Sequence, residues 1–141
     1  MNIPFMKVPE YDLTLSNNVK VKYRPFLVKE QKLLLMATET RNENELNNAL
    51  LNVVKNCCLS DVNVENLPVY DFEYLWLNIR ARSVGELIQL KLKCPDDENE
   101  IVDYNLNIDD VKPDLNKKVE TKIEFKEDFG VIMRVPTIKH L

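Results

Sequence analysis

The hydrophobic repeat of this chain changes period twice along its length. Apolar residues alternate with polar ones near the N-terminus, recur at helical spacing through the middle, and alternate again towards the C-terminus. Strands, then helices, then strands, with no regular alternation between them, give an α+β domain: an N-terminal β-hairpin, three helices, then mainly antiparallel β-hairpins. A chain of 141 residues is expected to form a single domain over 1–141 with one core.

In the first segment Tyr11, Leu13, Leu15, Val19, Val21 and Tyr23 alternate with polar residues, among them Lys20, Lys22 and Arg24. That is a half-buried hairpin broken at Ser16-Asn17-Asn18, residues that favour turns, and closed by Pro25. Leu27 to Thr38 consists of good helix formers, with Leu27, Leu34 and Leu35 near one face. Thr40-Arg41-Asn42-Glu43 has the pattern of a capping box. After it Leu46, Ala49, Leu50, Val53, Val54 and Cys57 define one helical face, and Asn47, Asn48, Asn52 and Asn56 lie on the other. Pro68 suits the first turn of a third helix that ends at Arg82. Its stripe of Phe72, Leu75, Trp76 and Ile79 is widened by Tyr70, Tyr74 and Leu77, so the helix is expected to touch two neighbours. The three helices are predicted near residues 28–38, 43–58 and 69–82.

Beyond Gly85 the period returns to two. Ile88, Leu90 and Leu92 lead into a polar turn, CPDDENE, and Val102, Tyr104, Leu106 and Ile108 complete a hairpin. Val119, Thr121, Ile123 and Phe125, then Val131, Met133 and Val135 after a break at Glu127-Asp128, imply another. Asp109 to Pro113 can hold at most one helical turn, because Pro113 disfavours helical backbone at Lys112.

Scarcity excludes several enzyme classes. The chain has one His, His140, which leaves no HExxH helix and no Ser-His-Asp or Cys-His machinery on a rigid element. Two glycines cannot supply a P-loop or a GxGxxG turn, so no nucleotide cofactor is expected. A net charge of -4 gives no global positive field for nucleic acid or anionic lipid. No apolar run approaches the roughly 18 residues of a membrane helix. Three cysteines cannot all pair internally and MNIPFMKVPEYD lacks the regions of a secretion signal, which points to synthesis in a reducing cytosol.

Candidate sites are few. Cys94-Pro95-Asp96-Asp97 resembles half a zinc knuckle, but one thiolate cannot hold structural zinc, and an ordinary turn is the better reading. Asp96, Asp97, Glu98 and Glu100 lack the spacing and glycine of an EF-hand. Asp109-Asp110 could be cast as the acids of a metal-dependent hydrolase, yet no base, nucleophile or metal partner lies near in sequence. Lys20, Lys22 and Arg24 form a basic stripe that a nucleic-acid adaptor could use, although solvent exposure alone produces the same pattern. Arg80 and Arg82 end the third helix with planar forks suited to carboxylates, a partner's included. Tyr74, Leu77, Arg80 and Arg82 are therefore the predicted partner-binding residues.

Three stretches carry a resemblance. VKYRPFLVKEQKLLLMATE (Val21 to Glu39), YDFEYLWLNIRARSVGE (Tyr70 to Glu86) and the hairpin followed by IDDV (Ile108 to Val111) resemble the T-even-type bacteriophage baseplate hub protein family, in the same order over most of the chain. The resemblance implies a non-enzymatic viral protein of the contractile-tail baseplate, either a hub subunit or a hub-assembly factor. It would be made late in infection in the host bacterial cytoplasm, with a place in the virion tail if it stays. Implied partners are other phage baseplate hub or tail proteins, with homo-oligomers also compatible, and neither membrane nor nucleic acid. The family also implies a second cysteine in the turn begun by Cys94, where this chain has Asp97, and a further C-terminal part is expected beyond residue 141.

Overall fold

The computed structural model describes residues 7–96, 100–114, 120–126 and 129–140. The N-terminal alternation folds as a hairpin in which β1 (Tyr11–Thr14) pairs antiparallel with β2 (Lys20–Tyr23), Leu13 opposite Val21. Leu13, Leu15, Val21 and Tyr23 are buried on one face, while Asp12, Thr14, Lys20 and Lys22 are exposed on the other. In the turn Asn18 takes a left-handed φ of 61°, which Asn tolerates better than most residues. The side-chain oxygen of Asn17 accepts from the Val19 N–H at 3.1 Å. The other edge of β2 is covered by the chain leaving the second helix, through a Tyr23–Cys58 bridge and a Leu59 N–H donated to the Lys22 carbonyl at 2.8 Å.

The helices are α1 (Val28–Glu39), α2 (Glu43–Cys57) and α3 (Val69–Val84), within two residues of the ranges that periodicity predicts. Val53, Val54 and Cys57 of α2 meet Phe72, Leu75 and Ile79 of α3 and the buried hairpin face in one core, joined by Val64 and Leu67 from the connection between α2 and α3. Side-chain packing of these stripes, rather than propensity alone, holds such short helices together.

Two local expectations need correction. The face of α1 that turns inward carries Glu30 and Ala37, with Leu34 half-buried, whereas Leu27 and Leu35 are exposed. The inward position of Glu30 is stabilised by an ion pair with Arg24, described below, which overrides the apolar pattern. Nor does Thr40 cap α2. Arg41 adopts φ 53°, the turn closes later, and Asn42 is the cap, its side chain accepting from the Asn44 N–H at 3.0 Å. The Thr40 hydroxyl instead donates to the Ala37 carbonyl at 2.8 Å.

After Gly85, whose φ of 127° few other residues adopt, β3 (Leu87–Lys93) and β4 (Ile101–Asn107) form an antiparallel ribbon. Ile88, Leu90 and Leu92 stand opposite Leu106, Tyr104 and Val102, so all six share one face. The single helical turn expected near Asp109 is present at Ile108–Asp110, and it buries Ile108. A second ribbon pairs β5 (Lys122–Lys126) with β6 (Phe129–Ile132), with an irregularity between Glu124 and Lys126. Val119, Glu127 and Asp128, assigned from sequence to this hairpin and its break, lie outside the described residues. Thr137 then bridges Pro68 antiparallel, just ahead of α3.

Candidate protein interface

The arginines at the end of α3 occupy different environments. Arg82 donates to an Asp109 carboxylate oxygen at 3.1 Å and lies 5.4 Å from the centroid of the Tyr11 ring. Its interaction with the Tyr23 phenol raises the Arg82 pKa above its ordinary value. Burial raises the Tyr23 phenol as well, although Arg82 opposes it. One side chain thus ties α3 to the first hairpin and to the turn after β4, the carboxylate pairing that its planar fork favours. Arg80 is half-buried, and its Nη1 is buried with no hydrogen-bond partner among the described residues. Tyr74 and Leu77 are half-buried, Tyr74 packing against the core. The four residues lie along one helix, but Arg82 already has intrachain partners.

A cavity of about 410 Å³ opens between α2 and α3. Leu50, Leu51, Phe72, Trp76 and Ile138 supply apolar lining, with Asn44, Asn47 and Asn48 along α2 and Glu73 on α3. Trp76 is half-buried and stacks on Phe26 at 6.2 Å between ring centroids. Ile138 arrives through the Pro68–Thr137 bridge, a contact between residues distant in sequence.

The ribbons present more apolar surface. On β3–β4, Leu92, Val102 and Tyr104 are 48%, 51% and 50% exposed. On and just beyond β5–β6, Phe125, Phe129, Ile132 and Met133 are all exposed, with Phe125 and Phe129 in ring contact at 5.9 Å. A two-stranded ribbon alone is marginally stable in water, and an apolar face beside such a ribbon normally packs on something. Alternation reveals the strands, but not that the other described residues leave these side chains exposed.

The remaining sequence candidates separate. Lys20 and Lys22 are exposed on β2, but Arg24 is not part of a solvent-facing stripe: its side chain is 14% exposed and pairs with Glu30 at 3.0 Å. That removes one of three charges from the proposed phosphate face. Burial pushes the Cys57 thiol up to about 11 and also raises Cys58, consistent with core cysteines rather than nucleophiles. Asp96 is exposed; Asp97 and Glu98 lie outside the described residues. Asp109 is held by Arg82. No group of three or more His, Cys, Asp or Glu side chains suited to a metal occurs among the described residues. No helix there is long and apolar enough to cross a membrane.

Sequence reasoning missed two buried carboxylates. Glu30, 0% exposed, accepts from Arg24 and from the Leu27 N–H at 2.7 Å. Its place three residues after the N-cap is the position from which Glu reaches back in a capping box, a signal present in the sequence. Asp71, also 0% exposed, accepts from the Ser16 N–H at 3.0 Å and from its hydroxyl at 2.7 Å. No local signal links residues 55 apart. Both acids fasten the scaffold, and the exposed ribbons and the α2–α3 cavity are among the surfaces left for contact.

A family model described as T4 bacteriophage base plate protein matches residues 8–141. Comparison with curated proteins and with solved structures returned no match.

Proposed function

The chain belongs to the T4 bacteriophage base plate protein family, and from that membership we propose that it is a non-enzymatic protein of the central baseplate hub. It acts through protein–protein contacts as a hub subunit or as a hub-assembly factor, a chaperone or scaffold. The observation that carries this reading is the pair of ribbons whose apolar side chains the described residues leave exposed. A neighbouring baseplate protein packing on them would bury side chains that are otherwise hydrated, the dominant favourable term in association. Tyr74, Leu77, Arg80 and Arg82 are the second proposed contact. There Arg80 is the residue to test: its buried Nη1 lacks a partner among the described residues, and turning the side chain outward would let its fork meet a carboxylate from a hub protein. Assembly would take place in the host bacterial cytoplasm, and a hub subunit would remain in the virion tail.

Affinity capture from phage-infected cells tests the proposal, with proteins identified by mass spectrometry in assembly intermediates and in finished particles. Wild-type chain should bring down hub components. A Leu92→Lys/Tyr104→Lys chain should lose them while keeping its thermal midpoint, and Arg80→Lys should weaken capture because lysine lacks the bidentate fork. Retention in finished particles marks a subunit; presence in intermediates alone marks an assembly factor. Capture unchanged by the ribbon substitutions would refute the assignment of these faces.

A further inference from the structure

Helix α1 turns Glu30, Leu34 and Ala37 inward and leaves an apolar face outside. Val28, Leu33, Leu35 and Met36 are 80%, 46%, 58% and 55% exposed, whereas α2 exposes no large hydrophobic side chain among the described residues. Lys32, Leu35, Met36 and Glu39 stand at i, i+3, i+4 and i+7, hence on one side of the helix. That side is opposite the inward-facing Glu30 and Ala37. Lys32 and Glu39 are both exposed, and neither side chain takes a hydrogen bond or ion pair among the described residues. Seven residues of helix separate them by about 10.5 Å, too far to pair with each other.

We propose that this face binds a second copy of the chain, α1 against α1, antiparallel about a two-fold axis passing between Leu35 and Met36. The charge pattern selects this occupant. In that arrangement each residue faces the one equally distant on the far side of the axis. Leu35 meets the second copy's Met36, Lys32 meets its Glu39, and Glu39 meets its Lys32. One apolar centre is thereby flanked by two opposite-charge pairs, the self-complementarity that a two-fold interface requires. A parallel pairing in register would set lysine on lysine and glutamate on glutamate, so the same pattern fixes orientation. A twelve-residue helix offers a small interface, at the low end of the range for specific complexes, so association should be weak and concentration-dependent.

Sedimentation equilibrium of the purified full chain tests this, over roughly 1 to 200 μM, a span chosen for the micromolar affinity of a small interface. Wild type should dimerise. Lys32→Glu and Glu39→Lys each turn two attractive pairs into two repulsive ones and should weaken dimerisation roughly tenfold or more. The double variant Lys32→Glu/Glu39→Lys restores opposite charges across the axis and should return to within about twofold of wild type, since the pair count is again the same. Leu35→Glu should abolish the dimer, and all four variants should keep the wild-type helical circular dichroism. A wild type that stays monomeric throughout overturns the proposal, as does a double variant as weak as the single ones. Cross-links that join α1 to a different baseplate protein, with no α1–α1 cross-link, would also overturn it.

Discussion

Removing the Glu30 carboxylate should cost this fold more than its ion pairs with Arg24 and the exposed Lys29 suggest. In Glu30→Ala the Arg24 guanidinium, 14% exposed, keeps only the Pro25 carbonyl at 2.9 Å and a long contact to the Cys57 sulfur at 3.8 Å. The Leu27 N–H at the start of α1 loses its acceptor as well. Deleting one partner of a buried pair costs about 3 to 5 kcal/mol. Because Arg24 lies near solvent, the lower end, about 3 kcal/mol, is expected. Glu30→Gln can still accept from Leu27 and should cost about 1 to 2 kcal/mol. Removing both charges, as Arg24→Met/Glu30→Leu, should fall within about 1 kcal/mol of wild type, because the desolvation of the two ions is removed with their attraction. Urea unfolding followed by the fluorescence of Trp76, the one tryptophan, measures all three. The pH dependence has a definite sign. Burial tends to raise the Glu30 pKa, but hydrogen bonds from Arg24 and Leu27 prevail and hold it below its ordinary value of 4.5. A carboxyl depressed in the folded state contributes fully above the unfolded value and loses that contribution as pH falls through the folded one. The gap between wild type and Glu30→Gln should therefore narrow below about pH 4.5. A Glu30→Ala cost under about 1 kcal/mol, or a double variant as unstable as the sum of its parts, would refute the reasoning.

Four further outcomes are expected. Asp71→Ala should destabilise by about 2 to 3 kcal/mol in the same assay, more than Ser16→Ala, because the carboxylate accepts both Ser16 bonds and hydrogen bonds to charged groups are the stronger class. Leu75→Ala should cost about 3 to 5 kcal/mol and exceed Trp76→Ala, since Leu75 is 0% exposed whereas Trp76 is only half-buried. In native protein at pH 8, Cys57 should resist alkylation until unfolding, as mass spectrometry of the modified chain would show, because its thiol is buried and pushed up to about 11. Elemental analysis of purified protein should find no stoichiometric zinc; one zinc per chain, lost on Cys94→Ser, would show instead a non-obvious or intersubunit site that includes Cys94.

The fold was legible wherever one face of an element had to be buried. Period two in Leu13, Val21 and Tyr23 and helical spacing in Val53, Val54 and Cys57 mark positions that packing selects, so the elements and their order follow from pattern alone. Helix α1 was less legible because its inward side holds a paired acid, and hydrophobicity cannot report an ion pair with Arg24. Trp76 shares a stripe with the buried Phe72 yet is only half-buried, because position on a stripe does not say how far a neighbouring helix extends over it. The contact surfaces were legible only in part. Alternation gave the ribbons, while the exposure of their apolar side chains depends on where the other described residues go. Asp71 and Ser16, like Pro68 and Thr137, meet across sequence separations that no short window spans.

The described contacts that flank the second ribbon both lead back to α3. Before it, Asp109 is fastened to Arg82 near the C-terminal end of α3; after it, Thr137 is bridged to Pro68 at the N-terminal end of the same helix. The two feet therefore stand about 21 Å apart, taking 1.5 Å per residue along the helix. The described contacts on either side of β5–β6 thus lead to opposite ends of one helix, and a load applied to the ribbon is passed to the core through α3 at two separated points.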